Sequence, residues 1–230
     1  MSDHSPAKII VFDVNETLLD ITTLEPFFQR VFSNAGVMRE WFAELILYSQ
    51  TMTLSGRYTA FGELAGGVLR MVAANKQVEV AEEDVAELKA LIGSMPAHPD
   101  VKPALDLLRE TGFRLVTLTN SPPSPTPTPL EKAGVAAYFE HHFSVAEVEK
   151  FKPHPTTYEM VADKMGVKTT DLCMVACHLW DTIGAQSVGC QGAFLARPNN
   201  NVLYAAGVPK PDFSADDLVV LARKIIAALG

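Results

Sequence analysis

The stretch "KIIVFDVNETLLD", Lys8 to Asp20, carries an apolar run straight into an aspartate and then turns polar. A short, unbroken apolar run bounded by turn-forming residues is the pattern of a strand covered on both faces, as in a parallel sheet. Asp13 then stands at the carboxyl end of that strand, the edge at which open α/β sheets bind their ligands. Two residues on, the side chain is an amide, Asn15, where a second acid would make a carboxylate pair.

Working outward, further apolar runs recur: "FRLVTL" at 113–118, "HHFSV" at 141–145, "LCMVA" at 172–176 and "GAFLA" at 192–196. Helical patterns lie between them, among them "DVKPALDLLRETG", "TTYEMVADKMG" and "DTIGAQSVG", the first two closed by glycine as helix ends often are. Short strands alternating with helices predict an α/β fold, a Rossmann-like parallel sheet core covered on both faces. Residues from about 20 to 95 break the rhythm. "LEPFFQRVFSNAG", "REWFAELILYSQTM", "RYTAFGELAGGVLRMVAANK" and "EEDVAELKALIG" all read as helices with no strand among them. The expected organisation is therefore a core of residues 1–19 and 96–230 with an all-helical cap subdomain, 20–95, inserted after the first strand. An insertion at that point can close over the carboxyl edge of the sheet, or pack to one side of it.

The chain has 230 residues, long enough to bury a real core, and 48% hydrophobic against 20% charged residues is an ordinary globular balance. Nineteen basic against 27 acidic residues, net −8, with no Lys/Arg run, argue against a nucleic-acid partner. An anionic ligand then depends on local devices such as helix N-termini and buried cations. No segment approaches the roughly 18 apolar residues of a membrane span, and "MSDHSPAKIIVFD" lacks the basic region and the long apolar run of a signal peptide. The expectation is a cytoplasmic protein with no membrane partner. Cys173 and Cys177, four apart on an expected strand, would lie about 13 Å apart at roughly 3.3 Å per residue, too far for a disulfide. "NSPPSPTPTPLEKAG" carries prolines at 122, 123, 125, 127 and 129. Such density forbids ordinary helix until about Pro129 and predicts an extended loop near the site, then a short helix.

Polar groups fall at or just past the ends of four different strands: Asp13 after the first, Thr119 and Asn120 after the second, Lys152 after the third and Asp181 after the fourth. In a parallel sheet those ends share one edge, so residues more than 160 apart in sequence converge on one pocket.

In that order the chain resembles the haloacid dehalogenase superfamily. "FDVNETLLD" is similar to its first motif, "LTNS" to the second, "KFKPHPTTYEM" to the third and "MVACHLWDTIGAQ" to the fourth. The branch it most resembles is the type II L-2-haloacid dehalogenases, with Trp180–Asp181 and Tyr158 among the marks. The superfamily is mostly phosphatases, in which a second aspartate of a DxD motif protonates the leaving alkoxide beside Mg²⁺. Here that position is Asn15, which cannot deliver a proton, and general-acid help is typically worth roughly 10² to 10⁴ in rate. The fourth motif of the phosphatases resembles "GDSxxD", whereas this chain has Ala176, Cys177, His178 and then Asp181. A cysteine is a poor Mg²⁺ ligand, so neither a metal ion nor another cofactor is expected, and Cys177 reads as a small core residue rather than a thiolate.

A departing halide needs no proton. The resemblance implies hydrolysis of small (S)-2-haloacids to 2-hydroxyacids. Asp13 attacks Cα with inversion to form an ester, and water directed by Asp181, with Lys152 beside it, hydrolyses that ester. Thr17 orients the Asp13 carboxylate. Thr119 and the backbone amides of Val14 and Asn15 hold the substrate carboxylate, and Asn120 assists at the halide. Tyr158 bonds Lys152 or Asp181, or simply packs. Phe61 with Trp180 and His178 walls the pocket. His178, where the branch more often has asparagine, is a structural donor or a second candidate for handling the water. The branch also has a cap arginine after a tryptophan. The matching pair here is Trp41–Phe42, leaving Arg39 as a substitute or an apolar cradle for the halide. Three functions remain open: a metal-independent dehalogenase, a phosphatase with a degraded metal site, and a non-catalytic binding protein of the same fold. The resemblance also suggests a homodimer.

Overall fold

A computed structural model describes residues 9–230; Lys8 and the segment before it, which carried the signal-peptide reading, lie outside the described residues. β1 is Ile9–Phe12, all four side chains buried. Five more strands join it: β2 (Arg114–Thr119), β3 (His141–Ser144), β4 (Leu172–Ala176), β5 (Gln191–Leu195) and β6 (Phe213–Ala215). They form one sheet in the order β3-β2-β1-β4-β5-β6, with every pairing parallel. The continuous burial of β1 and β4 is what helices on both faces require.

The order fixes where a ligand can sit. From β1 the chain proceeds outward through β2 to β3, then returns to β4 on the other side of β1 and proceeds through β5 to β6. The sheet's direction of winding therefore reverses between β1 and β4, and a crevice opens at the carboxyl ends of those two strands. Asp13 follows one of them directly, and Cys177 and His178 follow the other.

Between β1 and the sheet's next helix lie α1 (Glu25–Phe32), α2 (Val37–Leu54), α3 (Phe61–Asn75) and α4 (Glu82–Ile92), with no strand among them, as the sequence predicts. α2 and α3 pack together, and the Trp41 indole donates to the Ala65 carbonyl at 3.0 Å. α5 (Val101–Glu110), α6 (Pro129–Lys132), α7 (Pro155–Met165), α8 (Leu179–Ser187) and α9 (Leu218–Leu229) accompany the sheet. α6 begins at Pro129, where the proline-rich run ends, with Thr128 and Glu131 forming a capping box. β6 escaped the sequence reading because its three residues are half-buried to exposed and carry no apolar run. α8 starts two residues earlier than expected, so Asp181 lies in its first turn.

One glycine permits a close approach on which the site depends. A Cβ on Gly184 of α8 would stand 2.6 Å from the Tyr158 hydroxyl and 2.8 Å from the Pro153 carbonyl. Gly184→Ala is expected to push Tyr158 away from α8 and to cost about 1–3 kcal/mol, the usual cost of overpacking. Chemical denaturation checks it; an unchanged midpoint would mean that α8 shifts freely.

Candidate active site

Asp13 is buried at the head of the crevice. Its Oδ1 accepts from Lys152 Nζ at 2.8 Å, and its Oδ2 accepts from the Thr17 hydroxyl at 2.6 Å. The Thr17 oxygen in turn accepts the Cys177 backbone N–H at 2.9 Å, tying the turn after β1 to the turn after β4. Lys152, fully buried, also donates to the Leu118 carbonyl at 3.0 Å and to Asp181 Oδ2 at 2.6 Å. Burial alone would raise the Asp13 pKa. The Lys152 ammonium and the His178 side chain outweigh it and hold the carboxyl far below the usual range, ionised at any working pH. Lys152 is pulled down by burial but raised on balance by the two carboxylates, and so stays charged.

Asp181 is 0% exposed, and both its oxygens are occupied, Oδ2 by Lys152 and Oδ1 by the Tyr158 hydroxyl at 2.6 Å. Burial and the nearby Asp13 charge raise its pKa despite Lys152. The sequence reading placed the water-directing base here. Each of its oxygens already accepts one hydrogen bond, from Lys152 or from Tyr158, and the residue has no exposed surface.

His178 lies against Asp13. Its Nδ1 is 3.3 Å from Asp13 Oδ2, and its Nε2 is 2.9 Å from Glu16 Oε2. Its ring stacks on Trp180 at 5.0 Å, and Phe42 from α2 covers it at 5.4 Å. Burial opposes the imidazolium, but the Cys177 sulfur and the carboxylates of Asp13 and Glu16 raise His178 well above the ordinary histidine range. Burial also pushes the Cys177 thiol up and keeps it neutral, so the charges acting on His178 are the two carboxylates.

The four sequence motifs thus meet around the Asp13–Lys152 pair. A haloacid dehalogenase-like hydrolase family matches residues 7–189. The chain belongs to that family. Among curated relatives of this hydrolase, the haloacetate dehalogenase H-2 of Moraxella sp. (strain B) is 26% identical over 192 residues, covering 83% of this chain and 86% of the relative. The (S)-2-haloacid dehalogenase 2 of Pseudomonas sp. (strain CBS-3) is 26% identical over 193 residues, covering 83% and 84%. Among solved structures, the L-2-haloacid dehalogenase RSc1362 superposes with a TM-score of 0.89 at 25% identity, covering 96% of this chain and 99% of that one.

Within this haloacid dehalogenase-like hydrolase, the remaining expected residues fall as follows. Asn15 donates to Ser121 Oγ at 3.2 Å, and the Thr119 hydroxyl oxygen accepts the Ser121 backbone N–H at 3.1 Å. The turns after β1 and β2 therefore adjoin at the mouth of the crevice, with Val14 buried between Asp13 and Asn15. Asn120 uses its side-chain oxygen to accept the Lys152 backbone N–H at 3.1 Å; it fixes the lysine rather than offering that oxygen to a ligand. Phe61 lines a small apolar cavity with Trp41, Leu45 and Met95, and Asn15 is its polar edge. Ligand atoms of Asp13, Cys177 and His178 lie within 4.8 Å of one another. One carboxylate, a neutral thiol and an imidazole make a poor cradle for a hard cation such as Mg²⁺, and the Lys152 ammonium already occupies the cationic position beside Asp13.

Glu16 is a buried charged residue at the site that the sequence does not single out. It is 2% exposed, with φ of 68°, in the left-handed region that favours glycine. His98 Nε2 holds its carbonyl at 3.0 Å, while Arg39 and Asn200 both donate to Oε1, Asn200 at 2.8 Å. Burial raises its pKa, but His178 and Arg39 prevail and keep it ionised. Its strained turn and its burial exist only in the folded chain, so the local sequence carries no signal for it. Arg39, the offered substitute for the missing cap arginine, spends its charge on Glu16.

Proposed function

We propose that this protein hydrolyses the carbon–halogen bond of small (S)-2-haloacids through an ester on Asp13, without a metal ion. The observation that carries the reading is the Asp13–Lys152 pair: a permanently ionised nucleophile held by an ammonium ion, with an amide at Asn15 where a phosphatase needs an acid. The names and coverage of the relatives support the same chemistry. In the first step an Asp13 oxygen attacks Cα, the carbon–halogen bond breaks with inversion, and halide leaves with the electron pair. In the second, water adds to the Asp13 carboxyl carbon and the ester C–O bond breaks. The products are the 2-hydroxyacid, regenerated Asp13 carboxylate and one proton. Val14, Asn15 and Thr119 stand at the mouth where the substrate carboxylate enters. α1 to α4 act as a cap whose Phe42 and Phe61 exclude bulk water from the displacement.

We assign the hydrolytic water to His178 rather than to Asp181. Glu16 on Nε2 fixes the tautomer that turns the Nδ1 lone pair toward the Asp13 carboxyl, the logic by which an acid orients a histidine base. While Asp13 is ionised, its charge keeps a proton on His178. Esterification removes that charge, and His178 can lose its proton and serve as the base.

Mass spectrometry after exposure to (S)-2-chloropropionate or chloroacetate, with halide release followed in the presence and absence of EDTA, tests the reading. An adduct on Asp13 and EDTA-insensitive halide release are expected. Mg²⁺-dependent phosphate release without halide release would establish the phosphatase alternative, and an inert protein the binding-module alternative. His178→Gln is expected to slow ester hydrolysis by about 10²- to 10⁴-fold, the range of a general base, so that the Asp13 adduct accumulates. Turnover without accumulation would return the base to Asp181.

A further inference from the structure

We propose that Arg39 is a positioning residue for the hydrolytic half-reaction: from the first turn of α2 it clasps Glu16, so that docking of the helical cap completes the Glu16–His178 couple. This rests on the dehalogenase reading above. Glu16 Oε1 receives Arg39 from α2 and Asn200 from the segment after β5, and Oε2 meets His178 from the turn after β4. Three parts of the chain close on a single buried carboxylate. Arg39 also donates to the Pro198 carbonyl at 3.3 Å, so one guanidinium bridges the cap to both the nucleophile turn and the post-β5 segment. It is 28% exposed on its side chain where Glu16 is 2%, which places Arg39 at the rim and its partner inside. Elsewhere on the seam Phe42 lies on His178, Phe61 lies on Phe151, the Thr53 hydroxyl accepts the Phe151 N–H, and Lys132 reaches the Gly93 carbonyl away from the catalytic turn. Arg39 is thus the charged contact by which the cap reaches the catalytic turn.

The charge balance says what the clasp does. The titratable and charged groups facing His178 are Asp13 and Glu16 from the turn after β1 and the Cys177 thiol from its own turn. Lys152 stands one carboxylate away through Asp13, and Arg39 one carboxylate away through Glu16. The ring faces meet the uncharged Phe42 and Trp180. Once Asp13 is an ester, Glu16 is the remaining anion holding a proton on His178. With Arg39 seated, that anion is already compensated and His178 is free to become neutral. With the cap arginine gone, Glu16 holds the proton on His178 more firmly, and at neutral pH the neutral base is present less often.

Quenched-flow mass spectrometry of the full chain with (S)-2-chloropropionate, over a range of pH, separates Asp13 alkylation from ester hydrolysis. Arg39→Met is expected to slow hydrolysis at neutral pH by about tenfold more than alkylation and to move the rising limb of the hydrolysis profile upward by about one unit, one unit being a factor of ten. Arg39→Lys should recover much of the loss. Asn200→Ala, which removes a neutral donor from the same oxygen, serves as the second variant should Arg39→Met fold poorly, and should shift the limb upward less. Equal losses in both half-reactions with an unmoved pH profile would reduce Arg39 to a structural tie and overturn the proposal. A wild-type protein never alkylated at Asp13 would overturn the dehalogenase reading itself, and the clasp with it.

Discussion

Asp13→Asn is expected to abolish halide release while leaving the fold intact. An amide is a feeble nucleophile. Either orientation of the new side chain also turns an N–H₂ toward a donor, the Lys152 ammonium at Oδ1 or the Thr17 hydroxyl at Oδ2. Loss of a covalent nucleophile typically costs about 10⁴-fold or more. The surroundings survive because Lys152 retains Asp181 and the Leu118 carbonyl, so no buried cation is orphaned. Halide release, the Asp13 adduct and the melting temperature, measured together, decide the matter. Residual turnover within tenfold of wild type would place the nucleophile elsewhere.

Lys152→Met should be more damaging to the molecule as a whole. Methionine fills the space but leaves Asp13 and Asp181 as buried neighbours without their shared cation. Breaking a buried ion pair in this way costs about 3–5 kcal/mol. The sign with pH follows from the native titration. Asp13 has its carboxyl lowered in the folded wild type, so the pairing contributes stability above the ordinary carboxylate range and loses it as pH falls. The gap in melting temperature between wild type and variant should therefore be full at neutral pH and narrow as pH falls below about 4. Catalysis changes in the opposite sense. Without the ammonium, one proton stays on the carboxylate pair, and whatever halide release survives should rise with pH. A variant as stable as wild type at neutral pH, or one whose activity is indifferent to pH, would mean that the two carboxylates are not coupled through Lys152.

Much of this was legible in the chain because periodicity and punctuation carried it. The run from Ile9 to Phe12, the glycine-closed helices and the strandless stretch after Asp20 specify a parallel sheet with a helical insertion. Polar residues at successive strand ends then specify which edge is chemical. The hidden parts depended on distant partners. Glu16 has no mark in its own stretch of sequence, because Arg39 on α2 and Asn200, 184 residues away, are what close over it. The Tyr158–Asp181 bond is one that the resemblance implies, but the close approach at Gly184 that admits the tyrosine carries no local signal. β6 is three residues long and only partly buried, which no apolar pattern reveals.

The cluster pairs three buried carboxylates, Asp13, Glu16 and Asp181, with Lys152, with Arg39 at the rim and with the raised imidazole of His178. Protonated, it is electrically neutral as a unit. A substrate anion charges it by one. In the proposed reaction, esterification with loss of halide relieves that charge, and hydrolysis restores it, leaving a product carboxylate beside a newly ionised Asp13. On that reading the end of each turnover carries its own repulsion, which favours release of the hydroxyacid and resets the site.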